Sequence, residues 1–187
     1  MAKNKRAQCL TTEQARTFIK AAKGHDLEAL FTVALATGMR KGELLALHWP
    51  DIDVETGRVY IHQTLSCRGD LVASKCERTL VLPSLLLTLL EGARLRQIDL
   101  VFCKSQGQTF DPTRLHQFLA DLLEVARLPP LSFHGLRCST ISLLISLGVP
   151  IQVIEMLLGF SHTSTILESS FPLPTHPANR GPREALT

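Results

Sequence analysis

Leu131-Ser-Phe-His-Gly-Leu-Arg-Cys-Ser-Thr140 is the stretch on which the reading of this chain turns. It sets a histidine, His134, and an arginine, Arg137, three positions apart, and an apolar run from Ile141 to Leu147 follows at once. At that spacing two helical side chains are neighbours on one face. Paired donors at a helix start suit a phosphate group, because the first backbone N–H groups are unsatisfied there and a guanidinium adds a planar fork of donors. An ordinary surface helix can carry the same pair. What strengthens the phosphate reading is a second arginine, Arg40, far upstream in Ala36-Thr-Gly-Met-Arg-Lys-Gly-Glu-Leu-Leu-Ala-Leu47.

Outward from the His134 segment the pattern is helical on both sides. Asp111-Pro112 opens a helix over Thr113 to Ala126, with Leu115, Phe118, Leu119 and Leu122 directed at the core. Downstream, a helix from Ser139 ends at Gly148, and Val149 to Leu158 forms another, stopped by Gly159. Pro172, Pro174, Pro177 and Pro182 make the last stretch a poor helix, so residues 172–187 are expected to be irregular.

The front of the chain follows the same logic. Residues 1–9 are a basic, frayed arm carrying Lys3, Lys5 and Arg6. Thr11 or Thr12 caps a helix with Ala15, Phe18, Ile19 and Ala22 on its apolar face, and Gly24 ends it. Asp26 is the expected cap of the next helix, whose buried stripe is Leu27, Leu30, Phe31, Ala34 and Leu35, with Gly38 as its breaker. Glu43 to Leu47 forms a short helix. Arg58 to Leu65 alternates as a strand after a turn at Glu55-Thr-Gly57, and Arg78 to Leu82 is a second strand beyond the Arg68-Gly-Asp70 turn. Leu71 to Lys75 is ambiguous. Ser84 is expected to cap a leucine-rich helix through Arg96. The sum is a mainly α chain with a small antiparallel β-sheet (α+β).

Composition narrows the classes. The 187 residues suffice for one domain with a real core, and 45% of them are apolar, as in a folded protein rather than a disordered one. A net charge of +3 permits nucleic-acid binding without demanding it. The five cysteines are scattered, with no CxxC pair or Cys/His ligand spacing, which argues against zinc. No signal peptide or membrane-spanning run is read, and the expected location is the reducing cytoplasm, away from any membrane.

Six of these pieces occur in the order of one family. Leu10-Thr-Thr-Glu-Gln, Ala36-Thr-Gly-Met-Arg-Lys-Gly-Glu-Leu, Trp49-Pro-Asp-Ile-Asp, Arg78-Thr-Leu-Val-Leu-Pro, Phe133-His-Gly-Leu-Arg and Leu147-Gly-Val-Pro-Ile with Leu158-Gly resemble the catalytic domain of the tyrosine recombinases, the phage-integrase family. The resemblance runs from about Leu10 to Leu173, and residues 10–171 are taken as the integrase-like catalytic domain.

The resemblance implies strand exchange on double-stranded DNA. A tyrosine forms a 3′-phosphotyrosyl link, two arginines clamp the phosphate oxygens, and a lysine and a histidine assist with protons, without metal or nucleotide cofactor. Forked guanidinium groups stabilise the spread negative charge of such a transition state. Arg40 matches the first arginine, and His134 and Arg137 match the second box. The family's lysine should fall near Val72 or Ala73. Lys75 is the nearest lysine and serves if the hairpin is shorter; otherwise it is a solvated hairpin lysine.

The chain departs from the pattern downstream. Cys138 stands where a second histidine is common, and Leu158-Gly-Phe160 replaces Leu-Gly-His, leaving His162 as the candidate substitute. The nucleophile's slot falls near position 170, where Ser170 stands between Ser169 and Phe171. The chain's one tyrosine, Tyr60, lies in the expected strand, outside that slot. The helical clamping domain that usually precedes the catalytic one has no counterpart among the roughly ten residues before the first match, so fewer phosphates are neutralised.

Three readings follow from this. The first is an integrase-fold recombination protein impaired in cleavage, a remnant of a mobile element. The second is a non-catalytic DNA-binding or regulatory protein, alone or paired with an intact recombinase subunit. The third is a weak serine-dependent enzyme using Ser169 or Ser170. The proline-rich tail disfavours a docking helix, so a monomer is expected in isolation.

Overall fold

A computed structural model describes residues 9–66, 68–94, 98–104 and 106–160. The first helix, α1 (Thr12–Ala22), is capped by Thr11: its hydroxyl accepts from the Gln14 N–H, and the Gln14 side chain accepts from the Thr11 N–H at 2.9 Å. This reciprocal box satisfies two donors that the helix end would otherwise leave open. Helix α2 (Glu28–Thr37) is apolar nearly all round and buried accordingly, with Ala29, Leu30, Phe31, Val33, Ala34 and Leu35 in the core. The expected stripe is therefore present, but the expected cap is not. Leu27 occupies the N-cap without a side-chain bond, and His25 Nδ1 accepts the Leu27 N–H at 3.0 Å, so the Asp26 side chain has no capping role.

Gly38 closes α2 at φ +63°, in left-handed backbone, and sends the chain directly into α3 (Lys41–Leu45) with Arg40 as its N-cap. A 3₁₀ turn over Trp49–Asp51 leads to a three-stranded antiparallel sheet of β1 (Ile52–Asp53), β2 (Arg58–Leu65) and β3 (Leu71–Val81), in that order. The ambiguous Leu71–Lys75 stretch is thus part of one long strand. Register runs Tyr60↔Thr79 and Ile61↔Arg78, then slips to Gln63↔Ala73, leaving residues 74–77 bulged opposite His62.

Helices α4 (Ser84–Gly92) and α5 (Pro112–Val125) follow. Ser84 does not cap α4; Pro83 holds that position, and the helix ends at Gly92 rather than Arg96. Asp111 caps α5 as expected, accepting the Thr113 N–H at 2.8 Å. Leu115, Leu119 and Leu122 are buried, but Phe118 is 37% exposed, its ring in an edge-to-face pair with His25 at 6.2 Å between ring centres.

Helix α6 (Phe133–Ser146) begins six residues before the expected Ser139, because Ser132 caps it through the Gly135 N–H. The His134 and Arg137 box therefore lies inside the helix. Helix α7 (Ile151–Leu158) starts after Pro150 and ends at Gly159, φ +69°. The main core gathers α1, α2, α4, α5 and the inner sheet face, and α6 and α7 seal a smaller one of Ile141, Ile154 and Leu158. Helix α6 packs on α2, with the Thr140 hydroxyl donating to the Leu35 carbonyl at 2.7 Å, while α7 packs on β3. Among the described residues no helix is long and apolar enough to cross a membrane.

Candidate phosphate-binding site

Three elements bring charged side chains to one place, the C-terminal end of α7. Arg40 comes from the start of α3, directly after the Gly38 turn. Its backbone N–H and its Nη1 both donate to the Glu43 carboxylate, each at 2.9 Å. Arg78 reaches in from β3 and donates to the same carboxylate through Nη1 at 3.0 Å and Nη2 at 2.8 Å. Glu43 thus sits between two guanidinium groups with its side chain 1% exposed. Burial raises its carboxyl pKa, but the hydrogen bonds and charge of Arg78, with the bonds from Arg40, hold it net below the ordinary value.

The end of α7 organises the arginines. Its last carbonyls have no intrahelical partner and carry the negative end of the helix dipole. Arg78 Nε donates to Leu157 O at 2.9 Å, Arg137 Nη2 to Leu158 O at 2.7 Å, and Arg40 Nη2 to Gly159 O at 3.3 Å. Three consecutive carbonyls thus each hold a different arginine. Arg137 also donates to Gly38 O at 2.5 Å, and the Phe160 ring covers its face with the guanidinium carbon 4.4 Å from the ring centre. Arg137 is 4% exposed, and burial first, then the charge of Arg40, brings its pKa down to about 10. The Arg40 side chain is 45% exposed, so it is the guanidinium of this cluster that faces solvent.

His134 and Arg137 belong to adjoining turns of α6 but differ in setting. His134 is exposed, and its Nε2 lies 3.6 Å from Cys138 Sγ. Lys75 is exposed in the bulged part of β3. Tyr60 donates its hydroxyl to Glu77 at 2.8 Å, and that bond raises the phenol above its ordinary pKa, the opposite of what activates a nucleophile. Residues pair as Tyr60↔Thr79 and Ile61↔Arg78, and strand side chains alternate between faces, so Tyr60 belongs to the opposite sheet face from Arg78. His162 and Ser170 lie outside the described residues.

Two members of the cluster were not among the residues singled out from sequence. Arg78 served there only to mark a strand, and Glu43 only to mark a short helix. A signal did exist for Glu43: it follows Arg40 by three positions and precedes a run of Leu44, Leu45, Ala46 and Leu47, which is where a buried, paired carboxylate would stand out.

Arginines held on helix-end carbonyls and a buried carboxylate thus cluster on a mixed helix–sheet scaffold. Residues 8–168 match the phage integrase family, and the chain belongs to that family. It is 29% identical to a tyrosine recombinase XerC-like protein of Caldanaerobacter subterraneus subsp. tengcongensis, over 84% of this chain and 48% of the relative. It is also 29% identical to an integrase of Streptomyces ambofaciens, over 87% of this chain and 48% of the relative. The chain therefore spans about half the length of these curated relatives. Its fold is shared with the XerA recombinase at a TM-score of 0.74 and 21% identity, covering 89% of this chain and 61% of that one. It is shared with the Tn1549 transposon integrase, solved with a circular intermediate DNA, at a TM-score of 0.79 and 16% identity, covering 89% and 62%.

Proposed function

We propose that this chain is the catalytic-domain portion of a site-specific DNA recombination protein, that it holds a backbone phosphate of double-stranded DNA on its arginine cluster, and that its cleavage is impaired. One observation carries the reading. Arg40, Arg78 and Arg137 converge on the end of α7 with a single carboxylate among them, and Arg40 is open to solvent. Such forked donors match the oxygens of a phosphodiester and stabilise its transition state. Arg137 would act after its Phe160 cover moves aside. His134, exposed beside it, is the candidate proton donor, and Lys75 on the hairpin is the candidate second one.

Impairment rests on the nucleophile. Tyr60 is the one tyrosine in the sequence and is tied to Glu77 on the far sheet face. A serine at position 170 is shorter and less acidic than a phenol, so both reach and activation are poorer. The protein is proposed to be a monomer in isolation.

The test pairs retention with covalent capture. The chain and its Ser170→Tyr variant are incubated with nicked duplexes drawn from around its gene and resolved with and without denaturant. Retention without a denaturant-resistant band from the native chain supports the proposal. A native band abolished by Ser170→Ala would overturn impairment in favour of a serine enzyme, and absence of retention at low salt would overturn DNA binding. Sedimentation should give a size independent of concentration.

A further inference from the structure

The cysteine that replaces an expected histidine has a partner from the other end of the fold. The Leu10 N–H donates to Ser139 Oγ at 2.8 Å, which pins the chain entering α1 against α6 across 129 positions of sequence. That bond puts Cys9, the residue before Leu10, beside Cys138, the residue before Ser139, and the two thiols are hydrogen-bonded to each other. Cys138 is buried at 2% exposure with His134 Nε2 3.6 Å from its sulfur, whereas Cys9 is half-buried and gives the pair its opening to solvent.

We infer that Cys9 and Cys138 are a peroxide-responsive thiol pair that closes to a disulfide, a redox-modification site adjoining His134 and Arg137. The inference stands apart from the recombination reading and does not depend on it.

The two thiols are unequal, as such a pair requires. The bond from Cys9 and the nearby charge of Arg137 hold the Cys138 thiol below its ordinary pKa against the opposing effect of burial. Cys9, sharing that bond, is pushed up by it and by burial. Cys138 is therefore the more acidic thiol of the pair and Cys9 the less acidic, and the thiolate is the form that reacts with oxidants. A low-pKa cysteine beside a resolving cysteine is the arrangement of redox sensors, and a transient disulfide of this kind is compatible with a reducing compartment.

The step balances with hydrogen peroxide as oxidant. The Cys138 thiolate attacks one peroxide oxygen, the O–O bond breaks, hydroxide leaves and takes up a proton, and Cys138 becomes a sulfenic acid. The Cys9 sulfur then attacks the Cys138 sulfur, the S–O bond breaks, and water leaves with the Cys9 proton. Two sulfurs give up one electron each, and one peroxide becomes two waters. Closure draws the Cys138 sulfur towards Cys9 and away from His134, and it fastens the start of α1 covalently to α6.

The folded, reduced full chain is treated with hydrogen peroxide, quenched with catalase, alkylated in denaturant and digested for mass spectrometry. The expected product is a Cys9–Cys138 cross-linked peptide, two hydrogens lighter than its parts and lost on treatment with dithiothreitol. Cys9→Ser should leave the Cys138 sulfenic acid to be trapped by dimedone, at a yield at least several-fold above that of the native chain. Circular dichroism of this surface-side variant checks that it folds. Three results would overturn the inference: no cross-link in the native chain, a cross-link from Cys138 to Cys67, Cys76 or Cys103 instead, or equal dimedone labelling of the native and Cys9→Ser chains.

Discussion

Replacing Glu43 by Gln removes the one negative charge from the arginine cluster while nearly preserving its shape. The native carboxylate accepts from Arg40 N and Nη1 at 2.9 Å each, and from Arg78 Nη1 and Nη2 at 3.0 and 2.8 Å. A glutamine offers one oxygen and turns an NH₂ group towards guanidinium donors, so at least two of these bonds are lost. The Arg78 side chain is 6% exposed and keeps its charge without a counter-ion. Breaking a buried pair by removing one partner costs about 3–5 kcal/mol, or roughly 6–20 °C in Tm for a chain of this size.

Urea unfolding followed through the single tryptophan, Trp49, which is 6% exposed, measures the loss. The double variant Glu43→Leu with Arg78→Met removes both charges and should regain most of the lost stability, since apolar replacement of a whole buried pair is often neutral. Acid provides a further check. The Glu43 carboxyl lies below its ordinary value when folded, so its contribution is present above the ordinary carboxylate pKa and disappears as pH falls through the depressed one. The gap between native chain and Gln variant should therefore narrow in acid. A loss under about 1 kcal/mol for Glu43→Gln, or additive losses in the double variant, would refute the idea that Glu43 neutralises a buried charge.

Other substitutions probe different parts of the argument. Gly38→Ala should lose about 2–3 kcal/mol by thermal unfolding, because φ is +63° and the new Cβ would lie 2.5 Å from Leu158 Cδ2. Thr11→Ala removes the reciprocal cap of α1 and should cost about 1 kcal/mol in the same assay, with the fold unchanged by circular dichroism. Arg40→Ala should weaken duplex binding alike on all sequences and reduce the slope of log K against log salt by about one phosphate contact, measured by fluorescence anisotropy.

Much of this architecture is local in origin, and for that reason it could be read from sequence. The Thr11 cap, the α2 stripe ending at Gly38, the alternation of Arg58 to Leu65 and the Asp111-Pro112 start depend on neighbours a few residues away. Errors arose where a competitor was equally local. Leu27 rather than Asp26 holds the N-cap of α2, with its N–H bonded to His25, and Ser132 began α6 early enough to place the whole His134 box in the helix. The site was legible only as residue types. That Arg137 would be buried, and Arg40 left open, depends on carbonyls at Leu158 and Gly159, 21 and 119 positions away. Nor could periodicity reveal that Arg78, spaced as any strand residue, would reach back 35 positions to the Glu43 carboxylate that Arg40 also holds.

The last turn of α7 gathers three guanidinium groups against one carboxylate, so their charges are only partly balanced there. Its carbonyl dipoles and Glu43 offset part of the mutual repulsion, while burial first, and then the charge of Arg40, draws the Arg137 pKa down to about 10. An oxyanion entering beside Arg40 would relieve that repulsion as well as form its own bonds. Ligand capture and fold stability would then reinforce each other, because whatever binds the native state alone deepens its well.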